Sequence, residues 1–211
     1  MKGKFIVFEG IDGSGKTTQI NQLSKWLIGT KLIPENHQLV ITREPGGTKL
    51  GKSIRSLLLD NSRGKSPDSI TELLLYAADR AQHVNEIIRP ILNKGDWIIS
   101  DRFCGSTLAY QGYGRKLDIK LIKDLQTIST QGILPDITFL LDITVEESIK
   151  RRINREDDRM EKEGIEFLSN VSLGFKELSV DNKWKTISAI KSKEEIISEI
   201  KHEIEKLLKN K

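Results

Sequence analysis

Residues 5–17 read FIVFEGIDGSGKT: a short apolar run ends at Glu9 and passes directly into a glycine-rich loop that closes on a lysine. Gly10, Gly15, Lys16 and Thr17 have the spacing of a phosphate-binding loop, Gly-x-x-x-x-Gly-Lys-Thr, and the helical pattern of Ile20, Leu23 and Leu27 follows at once. That context makes the match specific. Glycines let successive backbone N–H groups converge on phosphate oxygens, and the start of the following helix adds its positive dipole end. Gly10, Ile11, Asp12, Gly13, Ser14, Gly15, Lys16, Thr17 and Thr18 are therefore the candidate cradle for a nucleotide's phosphates. Lys16 is placed to reach the outer phosphates, and Thr17 to ligate Mg2+. Asp12 is the unexpected member. A carboxylate beside phosphates is repelled unless it faces a second ligand or metal-bound water, or only shapes the turn.

Further apolar, β-branched runs recur downstream: LVIT (39–42), WIIS (97–100), ITFLLDI (137–143) and a weaker KTISA (185–189). Segments of helical period lie between them, such as Leu121, Ile122 and Leu125. Near-continuous apolar strands need cover on both faces, so the expected fold is α/β, a five-stranded parallel sheet flanked by helices on both faces. Breakers fall at Pro45-Gly46-Gly47, Gly95-Asp96 and Pro135-Asp136, beside the strands. Asp101, directly after WIIS, ends an apolar strand in a carboxylate, where this class makes its water-mediated magnesium contact. Residues 193–208 carry isoleucines and leucines at helical spacing and read as an amphipathic helix closing the sheet.

A chain of 211 residues suits one domain, 1–211, and 34 Lys plus Arg against 30 Asp plus Glu leaves a mild positive excess that suits an anionic ligand. The single cysteine, Cys104, excludes an internal disulfide. It reads as a small filler rather than a reactive thiol, and His37, His83 and His202 show no metal-ligand spacing. No window approaches the roughly 18 apolar residues of a spanning helix, so the expected location is the cytoplasm. A guanine-reading Asn-Lys-x-Asp is not matched, since Asn182-Lys183-Trp184-Lys185 lacks the final Asp. This disfavours a GTPase switch and leaves a small kinase.

Five ordered segments then carry a resemblance that spans nearly the whole chain: FEGIDGSGKTTQ (8–19), TREPGGT (42–48), YAADRAQH (76–83), DRFCGSTLAYQG (101–112) and DDRME (157–161). In order and spacing the sequence resembles the thymidylate kinases, in particular their bacterial members. The resemblance implies the nucleoside-monophosphate kinase form of the P-loop fold, ATP and dTMP as substrates, Mg2+ as cofactor and a homodimer, with no nucleic acid and no membrane as partners. It also implies a mobile lid, here about residues 147–165.

Tyr76 and Arg80, four apart, share a helical face, so a planar base can stack on the ring while the guanidinium donates to a carbonyl such as thymine carries. The family usually has phenylalanine at Tyr76, and many bacterial members have Asp at Gly105. The resemblance assigns Thr107 and Gln111 to the thymine edge, with Ser106 beside them, and Tyr110 to the sugar. It assigns Arg55 and Arg102 to the acceptor phosphate, and places Arg43 and Glu44 near the acceptor, where an ion pair is the structural alternative. Arg151, Arg155 and Arg159 repeat every fourth residue, which on a helix makes one stripe. Ordinary surface pairs such as Arg152 with Glu156 are the plainer reading. Because no basic residue precedes Lys16 within the loop, the resemblance directs the catalytic arginine to the lid, as Arg151 or Arg155. The expected catalytic group is then Lys16, Asp12, Arg102 and that arginine, with Thr17 and Asp101 at the metal.

Overall fold

The computed structural model describes residues 3–60, 66–153 and 156–209. Its strands are β1 (Phe5–Glu9), β2 (Leu39–Arg43), β3 (Trp97–Asp101), β4 (Ile137–Asp142) and β5 (Lys185–Ser188). They form one sheet in the order β2-β3-β1-β4-β5, every pairing parallel. Each expected strand is present within a residue or so of its apolar run.

The reason lies in the pleat, which sends successive side chains to opposite faces. From β1, Ile6 and Phe8 enter a large core with Leu23, Leu27 and Phe139, while Phe5 and Val7 enter a smaller one with Val84, Ile88 and Phe103. Both faces are covered, so a strand that alternated with polar residues would bury them unpaired. Each such fully buried side chain contributes roughly 1.5–3 kcal/mol.

Helix α1 (Lys16–Gly29) follows the glycine loop, and α2 (Lys49–Leu59) is capped by Thr48, whose hydroxyl accepts from Gly51 N at 2.9 Å. Helix α3 (Ser69–His83), capped by Asp68, continues through a π turn at Val84–Ile88 into α4 (Arg89–Asn93). Pro90 has no N–H to give to the preceding turn, which accounts for the widening there. A short α5 (Cys104–Thr107) runs into a second π turn, Leu108–Gly114, ahead of α6 (Ile119–Thr130). The chain ends with α7 (Val145–Arg152), a turn at Glu161–Glu163, α8 (Ile165–Asp181) and α9 (Lys193–Lys209). The expected closing helix is α9, which buries Ile196, Ile197, Ile200 and Ile204. No helix of the described residues is long and apolar enough to cross a membrane.

Because β1 lies between β3 and β4, its carboxyl end sits at the point where strand order departs from chain order, the usual crevice for ligands in open parallel sheets. The glycine loop, Arg43 with Glu44, and Asp101 with Arg102 all leave the sheet at this edge.

Candidate active site

The loop after β1 is shaped for backbone donors. Gly13 (φ 80°) and Gly15 (φ 89°) lie in the left-handed region, and α1 begins with no side chain capping its first turn, which leaves those N–H groups for an anion. Lys16 Nζ donates to the carbonyls of Gly10 at 2.9 Å and Ile11 at 3.1 Å and lies 3.9 Å from Asp12 Oδ1. Burial, and then Arg102, lowers its ammonium below the ordinary lysine value.

Gly13, Gly15, Lys16, Thr17 and Thr18 line one cleft, opposite Arg43, Asp101 and Arg151. The Ile11 side chain packs into the core, and its carbonyl faces the loop, where it accepts from Lys16. The fully buried Ser14 hydroxyl makes no hydrogen bond among the described residues.

Asp101 Oδ1 is buried and accepts no hydrogen bond from the described residues, although it lies in the same cleft as Thr17. An orphaned carboxylate oxygen beside a threonine and a phosphate cradle fits Mg2+, which keeps several waters and takes few protein ligands. No cluster of three or more His, Cys, Asp or Glu forms a denser metal cage among the described residues.

A second cleft opens beside the first. Asp12, Glu44, Arg55, Arg102 and Asp158 line both, so the two are continuous there. The second is walled by Tyr76, Arg80, Ser106, Thr107, Tyr110 and Gln111. The expected acceptor residues thus converge, apart from Arg43, which lines only the first cleft.

Arg80 is almost wholly buried. Its Nε donates to Glu44 Oε2 at 2.8 Å, and its Nη2 to Phe103 O at 3.0 Å and Thr107 Oγ1 at 2.9 Å. Nη1 is the donor that none of these bonds uses. Glu44 is held from its other oxygen by His83 Nδ1 at 2.9 Å, and His83 Nε2 meets Thr42 Oγ1 at 2.7 Å. A carboxylate only accepts, so Nδ1 carries a proton, and in the neutral imidazole Nε2 accepts from the threonine hydroxyl. Glu44 is therefore the ion-pair partner of Arg80, and through it a part of the pocket wall.

Arg102 stands in the left-handed region (φ 73°) immediately after β3, which turns its side chain back across the loop. Its Nη1 donates to Gly10 O at 2.9 Å and Ser106 Oγ at 3.0 Å, and its Nη2 to Asp12 Oδ1 at 2.9 Å. Tyr110 donates to Asp12 Oδ2 at 3.3 Å, and its ring lies 5.3 Å beneath the Arg102 guanidinium. Asp12 thus fixes Arg102 and Tyr110 where the two clefts meet, with Lys16 on its other side. Arg55 Nη1 donates to Pro45 O at 3.0 Å; burial, with Arg43 nearby, lowers its affinity for its proton, an arrangement that favours an incoming anion.

The arginine stripe of the lid is not what forms. Helix α7 ends at Arg152, so Arg151 and Arg159 do not share a helix. Arg155 lies outside the described residues. Arg151 Nη1 donates to Gly13 O at 3.4 Å and Nη2 to Ala189 O at 2.9 Å, which puts it at the phosphate loop. Arg152 is no surface residue either. It is buried and pairs with Asp157 and with Glu161 at 3.5 Å, rather than with Glu156. Arg159 is buried against Glu72 and donates to Leu58 O at 2.6 Å. Turn geometry between Asp158 and Glu161 replaces helical periodicity, with Asp158 Oδ1 accepting from Met160 N and Glu161 N.

Glu9, His83 and Glu72 belong to the site's support and escaped sequence reasoning. Glu9 is fully buried and accepts from Phe103 N at 2.9 Å, Ser106 N at 3.2 Å and Ser106 Oγ at 2.6 Å, fastening the acceptor loop to β1. Burial raises its carboxyl above the ordinary value, against the pull of Ser106 and Arg102. The available signal was an acid closing a wholly apolar strand. His83 serves as a link between Glu44 and Thr42, a role that no spacing of histidines signals.

A glycine-loop cleft that meets a second, arginine-lined pocket across Asp12, Arg55 and Arg102 defines a P-loop phosphotransferase that holds two anionic ligands end to end. Comparison with known proteins narrows the class: the thymidylate kinase family model matches residues 8–200. The chain is 82% identical over 211 residues to a thymidylate kinase of Prochlorococcus marinus strain NATL2A, covering 100% of both. It is 57% identical over 210 residues to that of strain MIT 9312, covering 100% of this chain and 98% of the relative. The crystal structure of thymidylate kinase from Ehrlichia chaffeensis superposes with a TM-score of 0.76 at 36% identity, over 97% of this chain and 99% of that one. This chain belongs to the thymidylate kinase family.

Proposed function

We propose that this enzyme transfers the γ-phosphoryl group of ATP to the 5′-monophosphate of dTMP, giving ADP and dTDP, with the donor in the glycine-loop cleft and the acceptor in the pocket beside it. The carrying observation is that Arg102 and Arg55 line both clefts, so a phosphate held by them sits where the two ligands meet. A monophosphate's second pKa is about 6, so its attacking oxygen is largely ionised at neutral pH and needs no strong base. Alignment and charge neutralisation then carry the reaction.

In this reading Lys16 holds the outer phosphates, Arg102 and Arg55 clamp the acceptor phosphate, and Asp12 orients Arg102. Arg151 reaches the loop from α7 and is the described lid candidate for the transferring group, with Arg155 the second candidate. Bound Mg2+ would neutralise charge on the outer phosphates, with Thr17 and Asp101 holding it. Tyr76 stacks the base; Arg80, Thr107 and Gln111 read its edge; Tyr110 crowds a 2′-hydroxyl.

Residues 147–165 act as the lid on one domain spanning the chain. Exposed apolar residues support a homodimer: Leu50 and Leu57 on α2, Ile70 and Leu74 on α3, and Leu121 and Ile128 on α6, helices that pack side by side. The free Cys104 thiol, pushed up to about 12 by burial, is consistent with a cytoplasmic enzyme.

A coupled ADP-release assay with ATP and equal concentrations of dTMP, dUMP and dCMP tests the assignment. Turnover is expected in the order dTMP, dUMP, dCMP, since only cytosine offers an amino group to Arg80. Equal rates for dCMP and dTMP would overturn it.

A further inference from the structure

Glu72 is wholly buried on α3, one turn before Tyr76 and two before Arg80, so the three share a helical face. It does not line either cleft. Its Oε1 accepts from Gln111 Nε2 at 2.8 Å and Arg115 Nε at 3.2 Å, and its Oε2 accepts from Arg115 Nη2 at 3.1 Å and from Arg159 Nη2. Four N–H donors from three residues, in two separated segments, end on one carboxylate.

Those donors belong to different jobs. Gln111 is the buried base-side wall of the acceptor pocket. Arg159 belongs to the lid turn, and the residues on either side of it, Asp158 and Met160, line the pocket. Arg159 itself points away from the pocket, to Leu58 O and Glu72. Arg115 closes the π turn that carries Tyr110 and Gln111, and also pairs with Glu163. Burial by itself would raise the Glu72 carboxyl, but its bonds to Arg115, Arg159 and Gln111 outweigh this and hold it below the usual carboxylate value, so it stays charged.

We infer that Glu72 is a positioning residue for the acceptor pocket: one carboxylate sets the Gln111 amide and, through Arg159, seats the turn that brings Asp158 and Met160 against the acceptor. The inference rests on dTMP as acceptor. It goes beyond the residues expected to touch substrate, because Glu72 touches none. Its Nε2 bond to Glu72 also fixes the amide of Gln111, turning the carbonyl oxygen, an acceptor, to the free side of the group.

Steady-state kinetics of the full chain carrying Glu72→Gln, Arg159→Lys or both, with the Michaelis constant of each substrate measured separately, test it. Glu72→Gln keeps the shape and removes the charge. The Michaelis constant for dTMP is expected to rise about tenfold or more, equivalent to about 1.4 kcal/mol, with that for ATP unchanged within about twofold. Arg159→Lys should reproduce part of this, and the double variant should cost less than the product of the single effects, because both break one connection. Equal losses for the two substrates, no loss, or independent multiplying effects would overturn it, as general destabilisation predicts the first and surface pairing the second.

Hydrogen exchange of the protein without substrate separates this from the acceptor assignment. Residues 156–163 should lose protection in Glu72→Gln while the loop 10–18 keeps it; unchanged protection at 156–163 would overturn the link whatever the substrate is. Should Glu72→Gln not fold, Arg159→Lys carries both measurements.

Discussion

Asp12 Oδ1 and Arg102 Nη2 stand 2.9 Å apart although 90 residues separate them in the chain. The pair bridges the phosphate loop to the end of β3 at the point where both clefts meet. Arg102 also bonds a loop carbonyl, Gly10 O, and the hydroxyl of Ser106. Asp12 therefore orients the cation to which the proposed function assigns the acceptor phosphate.

Asp12→Asn replaces a charged acceptor by a neutral one. A hydrogen bond to a charged group is worth roughly 1.5–3 kcal/mol, so kcat/KM for dTMP is expected to fall about 10- to 150-fold, with the dependence on ATP little changed. Steady-state kinetics at saturating ATP measure this. An unaltered kcat/KM would return Asp12 to a turn-forming role.

Lys16→Ala removes the one ammonium buried in the loop. Loss of a positioned donor on developing charge costs at least about 100-fold in turnover, while calorimetric dTMP affinity should stay within about twofold. Near-normal turnover is the outcome that contradicts the donor-side assignment.

Arg80→Lys keeps a cation for Glu44 but gives up the planar fork that reaches Phe103 O and Thr107 at once. The expected result is a loss of dTMP affinity of about tenfold or more with ATP affinity preserved, read by titration calorimetry of each nucleotide. Parallel losses of both would point to a damaged fold.

Gly105 is pressed by Trp184. A Cβ there would lie 2.3 Å from the Trp184 ring and 2.9 Å from Glu9 Oε1. Gly105→Ala is expected to lower stability by roughly 1–3 kcal/mol in denaturant unfolding, and Trp184→Ala in the same chain to cancel part of the Gly105→Ala cost. Here the indole occupies the space in which a longer side chain at 105 would stand, which accounts for the departure from the family pattern.

Asp79 is buried beneath Gly51 and accepts from Gly46 N at 3.0 Å. Burial, then Glu44, pushes its carboxyl from 3.8 up to about 6, against His83 and Arg80. Because the folded value is raised, its contribution is fully present below about 3.8 and is lost as pH rises through about 6. Asp79→Asn keeps the acceptor and removes the ionisation, so its stability relative to the parent should be higher at pH 7.5 than at pH 5, by about 1 kcal/mol, the rest of the effect having been lost below pH 5. Chemical denaturation at the two pH values decides; a difference that does not change with pH would contradict the shift.

Sequence alone determined the parallel sheet, because a strand buried on both faces must be apolar throughout, and β1, β3 and β4 announce themselves in that way, while the edge strand β2 shows in its β-branched run. It also determined the phosphate loop, whose chemistry depends on glycines and a lysine within a single local turn. The acceptor residues needed more than spacing: Tyr76 and Arg80 were legible because a helix repeats, whereas Thr107, Tyr110 and Gln111 meet at one wall through a π turn that no periodicity of residues 104–114 reveals.

What only the tertiary structure decided is which charges belong together. The Glu44 bonds to Arg80 and His83, the Asp12 bond to Arg102 and the convergence of Arg115 and Arg159 on Glu72 all join residues distant in the chain. A charged side chain carries no local pattern that names its partner, because burial and a long-range neighbour, not spacing, select it. The arginines of residues 151–159 show the cost of assuming otherwise: a four-residue repeat suggested one helical face, but α7 ends at Arg152 and Arg159 turns inward to a carboxylate on another helix.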